Sequence, residues 1–60
     1  MNIQTVAENL RNTIAGKEAM LARMEADVVK YNQTVNYTVC KYLRVNLAEL
    51  KAILADVEQC

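Results

Sequence analysis

The residues best suited to chemistry in this 60-residue chain gather in its middle. Tyr31, Tyr37 and Tyr42, its only aromatic side chains, lie within twelve positions of one another, with Lys30, Lys41 and Arg44 around them. No acidic residue falls between Asp27 and Glu49. Formal charge is therefore −1 over residues 1–29, +3 over 30–44 and −2 over 45–60, although the whole chain sums to zero. Tyrosine and arginine anchor protein interfaces because they join a large contact area to a polar handle. The same mixture can stack on bases and hold phosphates. A plainer role is also open, in which Tyr31 and Tyr42 pack the end of a helical bundle and keep their hydroxyls in water.

Other chemistries are poorly supplied. The chain has no His to shuttle protons near neutral pH, and no Ser to act as a nucleophile. Its acidic residues (Glu8, Glu18, Glu25, Asp27, Glu49, Asp56, Glu58) are scattered as on a solvated face, and a single Gly cannot build a phosphate-cradling loop. Two Cys without His fall short of the four ligands of a structural zinc site. Cys60 is the last residue, and Cys40 falls on an apolar stripe, where it reads as a small buried hydrophobe. The expectation is a non-enzyme with no catalytic, cofactor-binding or metal-binding residue.

The stretch YNQTVNYT (residues 31–38) holds two Asn-x-Thr sequons. Glycosylation matters only in a secreted chain, and the N-terminus MNIQTVAENLR lacks the basic and apolar regions of a signal peptide. No apolar run approaches the roughly 20 residues that span a bilayer. The expected compartment is the cytoplasm, and the sequons read as coincidental. Zero net charge implies no overall attraction to nucleic acid or to an anionic membrane.

The elements that must position these residues are helical. Ala, Leu, Val, Met, Glu and Lys dominate, with no Pro and one Gly. Alternating steps of 4 and 3 from Ile3 select Ala7, Leu10, Ile14, Lys17, Leu21, Met24, Val28, Tyr31 and Val35, a seam broken in character only by Lys17. Val6 and Met20 widen it. A second seam runs through Cys40, Leu43, Leu47, Leu50, Leu54 and Val57, widened by Val39 and Ile53. The two are offset by five residues, and the offset falls among Asn32, Gln33, Thr34, Val35, Asn36 and Thr38, nearly all weak helix formers. This predicts a single all-α domain over 1–60, with a helix over about 3–32, a turn over about 33–37 and a helix over about 38–58. A continuous coiled-coil helix with a stutter is the alternative. Thr5-Val-Ala-Glu8 matches a capping box, with Asn2 as an earlier candidate cap.

At about 1.5 Å per residue the helices measure roughly 45 Å and 30 Å, so the first should overhang the second by about two turns at its N-terminus. A two-helix hairpin cannot enclose a dry core, and 60 residues are few for independent stability. The expected assembly is a homodimer forming a four-helix bundle. Its interface is predicted from Ile3, Leu10, Ile14, Leu21, Met24, Val28, Cys40, Leu43, Leu47, Leu50, Leu54 and Val57. Lys17 is read as a bundle-edge lysine with a wet amine, or as a polar device that sets register. Candidate partner-binding residues are Lys30, Tyr31, Tyr37, Lys41, Tyr42 and Arg44. The expected function is a protein–protein interaction module, with nucleic-acid binding through 30–44 and a purely structural assembly segment as alternatives.

In size and composition, the run MNIQTVAENLRNTIAGKEAMLARMEADVVKY resembles the small helical accessory proteins of lambdoid temperate phages, encoded between exonuclease and excisionase in the early region. The resemblance implies a cytosolic protein that adjusts host or phage regulation through protein contacts. It carries over no functional residue.

Overall fold

A computed structural model describes residues 2–31 and 34–59. Two helices, α1 (Ile3–Tyr31) and α2 (Thr34–Glu58), fold back on each other as an antiparallel hairpin measuring 43 × 15 × 14 Å. Its long dimension is that of α1 alone, 29 residues at about 1.5 Å each. A continuous rod of the whole chain would be about twice as long, so the hairpin replaces the stuttered-helix alternative.

Helix α2 starts at Thr34, so residues 34–37, assigned by sequence to the turn, belong to the helix. Asn32 and Gln33, where the expected first helix ends and the turn begins, lie outside the described residues. The physical reason for the early start is one of scale. Val, Asn and Thr each cost only about half a kcal/mol relative to Ala. Propagating an existing helix backwards by a residue adds a backbone hydrogen bond without a new nucleation cost.

The start of α1 also differs from the capping-box reading. Asn2 is the cap: its Oδ1 accepts a hydrogen bond from the Gln4 N–H at 2.8 Å, and its carbonyl accepts from Val6 N–H at 3.1 Å. Thr5 and Glu8 are inside the helix. An asparagine placed one residue before the helix satisfies an orphan donor of the first turn without help from Thr5. At the other end, Gln59 N–H is shared between the carbonyls of Ala55 and Asp56 at 3.2 and 3.3 Å, as fraying helix ends commonly do.

Three ion pairs mark the register. Arg11 meets Glu58, Glu18 meets Lys51, and Glu25 meets Arg44. Each pair lies one heptad further along α1 and one heptad back along α2, so the helices run antiparallel without slippage. Arg11 faces the last residue of α2, and the part of α1 before it extends about two turns beyond, as its greater length requires.

Candidate functional site

Heptad letters organise the surface. With Ala7, Ile14, Leu21 and Val28 at a, and Leu10, Lys17, Met24 and Tyr31 at d, the acidic and basic partners Arg11, Glu18 and Glu25 are the e row of α1. In α2, Cys40, Leu47 and Leu54 are a, Leu43, Leu50 and Val57 are d, and Arg44, Lys51 and Glu58 are e. All three ion pairs therefore join e to e, which defines one flank of the hairpin. In an antiparallel pair the g rows must then meet along the opposite flank.

That opposite flank is apolar at four of its seven g positions. Its g row comprises Val6, Thr13, Met20 and Asp27 on α1, and Val39, Asn46 and Ile53 on α2. Met20 and Ile53 are each about half exposed, at 51% and 50%, and Val39 is also exposed. Next to it, the d residues Leu10, Met24, Leu43, Leu50 and Val57 are only half-buried. The four buried hydrophobic side chains among the described residues, Ala7, Ile14, Cys40 and Leu47, all belong to the a rows. The two helices thus bury part of their a rows on each other and leave the d and g rows of one flank incompletely covered.

Within one hairpin the residues of the predicted interface differ in burial. Ile14, Cys40 and Leu47 are 6%, 2% and 6% exposed within one hairpin, so they have almost no surface left for a second chain. Ile3 is exposed on the overhang, while Leu21, Val28 and Leu54 are half-buried like the d row. Conversely Val6, Met20, Val39 and Ile53, which the sequence marked only as widening the seams, line up on one flank. Their signal was present in the spacing, but which helix faces they share depends on chain reversal.

Asn46 sits in the middle of that flank, and its Oδ1 is shut off from solvent without a hydrogen-bond donor. Such an acceptor costs about 1–3 kcal/mol when left unpaired. Gly16, one row further out at c, has nothing within 4 Å of the position a Cβ would take. It serves no close approach between α1 and α2. Lys17, at d, is half-buried.

The tyrosine-rich end is brought together by the hairpin, but on two flanks. Tyr37, Lys41 and Arg44 fall on the ion-pair flank, where Tyr37 and Arg44 join Glu25, Val28, Val29 and Cys40 around a small depression. Lys30 and Tyr42 fall on the apolar flank, with Tyr31 on the seam beside it. Tyr31, Tyr37 and Tyr42 are all exposed. Arg44 is engaged by Glu25, and Lys30 Nζ lies 5.3 Å from the centre of the Tyr31 ring, within cation–π range.

The remaining depressions are shallow. One lies between the Glu18–Lys51 and Glu25–Arg44 pairs over Leu21, Ala22, Leu47 and Ala48, and another lies beside the overhang and Val57. Among the described residues no group of three or more Cys, Asp or Glu is arranged to hold a metal ion, and no helix is long and apolar enough to cross a membrane. Comparison with protein-family models, with curated proteins and with solved structures finds no match, so the functional reading rests on this hairpin's own geometry.

Proposed function

We propose that the chain is a non-enzymatic interaction module that works in the cytoplasm as a homodimer, a four-helix bundle formed by two hairpins, and that acts by binding another protein. The observation that carries this reading is the asymmetry of the two flanks. One is bridged by three ion pairs, and the other exposes Met20, Val39 and Ile53 beside a half-buried d row. Surface area points the same way. The hairpin has 4639 Å² of accessible surface, against about 3950 Å² for a compact monomer of its mass. That excess follows from the elongated 43 × 15 × 14 Å shape, which leaves surface for a second copy to cover.

The same protein surface would then present the Tyr37–Tyr42 end twice, as a site for a protein partner. Internal engagement of Arg44 and Lys30 leaves fewer cations for phosphate and favours protein over nucleic acid there. Regulation of host or phage development, as the resemblance to lambdoid accessory proteins implies, is compatible with such a module.

Light scattering coupled to gel filtration, with and without reductant, tests the assembly. The expected mass is twice 6.8 kDa at micromolar concentration, unchanged by reductant. A folded monomer that persists at all concentrations would overturn the proposal. For the partner site, binding of a captured protein should be insensitive to added salt, whereas phosphate binding would weaken steeply.

A further inference from the structure

Granting self-association, the apolar flank also specifies how the second copy sits. Two twofold arrangements can close two hairpins flank to flank. In one the axis runs along the hairpin and α1 faces the partner's α2. In the other the axis crosses the hairpin, so that α1 faces α1 and α2 faces α2.

Charge separates them. On its d, g and c rows α1 carries Lys17, Arg23 and Lys30 against a single acid, Asp27, whereas the charged residues of α2 on those rows are Glu49 and Asp56. Like helices facing each other would set basic against basic and acid against acid. Unlike helices set the basic rows of α1 against the acidic row of α2, twice per dimer. Within the hairpin neither Arg23 nor Glu49 forms an ion pair among the described residues.

Height supplies an independent match. Rotation about an axis parallel to the helices moves nothing along them, so the partner's α2 stands level with the chain's own α2. The ion pairs calibrate those levels: Glu18 with Lys51, and Glu25 with Arg44. Gly16, two residues before Glu18, is then level with Ile53, two residues after Lys51. Arg23, two before Glu25, is level with Asn46, two after Arg44, and about one turn from Glu49. The half-exposed Ile53 thus meets the open space beside Gly16, and the partner's Arg23 arrives within about a turn of Glu49.

We infer that two copies of this chain associate about a twofold axis parallel to the hairpin, with α1 packed antiparallel against the partner's α2, Ile53 seated over the partner's Gly16 and Arg23 opposite the partner's Glu49. Lys17 faces the same acidic row, with its stem in the seam and its amine directed outward.

The test uses wild type, Arg23→Glu, Glu49→Arg and an equimolar mixture of the two variants in sedimentation equilibrium, with helicity checked by circular dichroism. Both variants change exposed residues outside the hairpin's own contacts and should stay helical. Each alone should weaken the dimer about tenfold or more, because the like-charge contact occurs twice. The mixture should restore wild-type affinity, since a heterodimer pairs opposite charges at both contacts. A wild-type dimer that Arg23→Glu leaves unchanged or tightens would overturn this arrangement while leaving self-association intact. A wild-type monomer would remove both. Gly16→Leu gives a second readout: it should raise monomer helicity yet dissociate the dimer, and a dimer that survives it counts against the proposed seat of Ile53.

Discussion

Cys40 is the most deeply buried side chain described, 2% exposed and without a disulfide. Its row is the one the two helices share, and it lies at the floor of a small depression beside Val28 and Val29. Replacement by Ser puts a hydroxyl in the same volume with no assured acceptor, and the expected cost is about 1–3 kcal/mol. Urea unfolding at fixed protein concentration measures it, and a loss below about 0.5 kcal/mol would show that the a row is wetter than its burial implies. Lys17 presents the opposite case, a charged residue on a seam. Lys17→Leu adds apolar area to the d row and should raise the melting temperature by several degrees. An unchanged melting temperature and mass would show that the lysine stem already covers that surface.

Helix α1 begins where one side chain allows it to begin. Since Asn2 caps the first turn, Asn2→Ala should cost about 1 kcal/mol, whereas Thr5→Ala, within the helix, should be neutral or slightly stabilising. Thermal denaturation of the two variants side by side checks the assignment, and a larger loss at Thr5 would restore the capping-box reading. The ion-pair ladder belongs to the same scale. All its members are about half exposed, so each pair contributes at most about 1 kcal/mol and mostly less. Its importance lies in alignment. The order Arg11, Glu18, Glu25 is complemented by Glu58, Lys51, Arg44 only when α2 runs backwards in this register. Reversing all three charges on α1 should destabilise the hairpin by about 1–3 kcal/mol in low salt, and matching reversals on α2 should recover it. Full stability in the α1 triple variant would show that the apolar seams alone set the register.

For the molecule as a whole, four buried side chains among the described residues make a thin core. Folding coupled to association makes stability depend on concentration. The thermal midpoint should therefore rise by several degrees for each tenfold increase in protein, and a Met20→Glu/Ile53→Glu variant should lose that dependence. Calorimetry over a hundredfold range of concentration checks both. A midpoint independent of concentration in wild type would mean that one hairpin suffices.

Much of this architecture was legible in the chain itself. The spacing of Ala7 to Tyr31 and of Cys40 to Val57 determined two helices, because only a 3.6-residue period places those side chains on one face. The slip in phase between Val35 and Cys40, among weak helix formers, favoured separate helices, and only the observed chain reversal removed the continuous-helix alternative. The burial of Cys40 and the overhang of α1 followed from the same counting. Less was legible at the turn, since the weak helix formers at 34–38 cost too little to keep residues 34–37 out of α2. The flanks were beyond the sequence altogether. Arg11, Glu18 and Glu25 are one row of charges, and Val6 and Met20 another pair of apolar positions, until chain reversal sets each row against its counterpart on α2. Only then does one side become bridged and the other open, because a side chain's neighbours across a hairpin depend on direction and register rather than on its own helix. Likewise the tyrosines and basic residues that cluster in sequence divide between two sides, since residues adjacent along a helix point about 100° apart. Periodicity settled what the elements are, and tertiary pairing decided which of their faces remained to act.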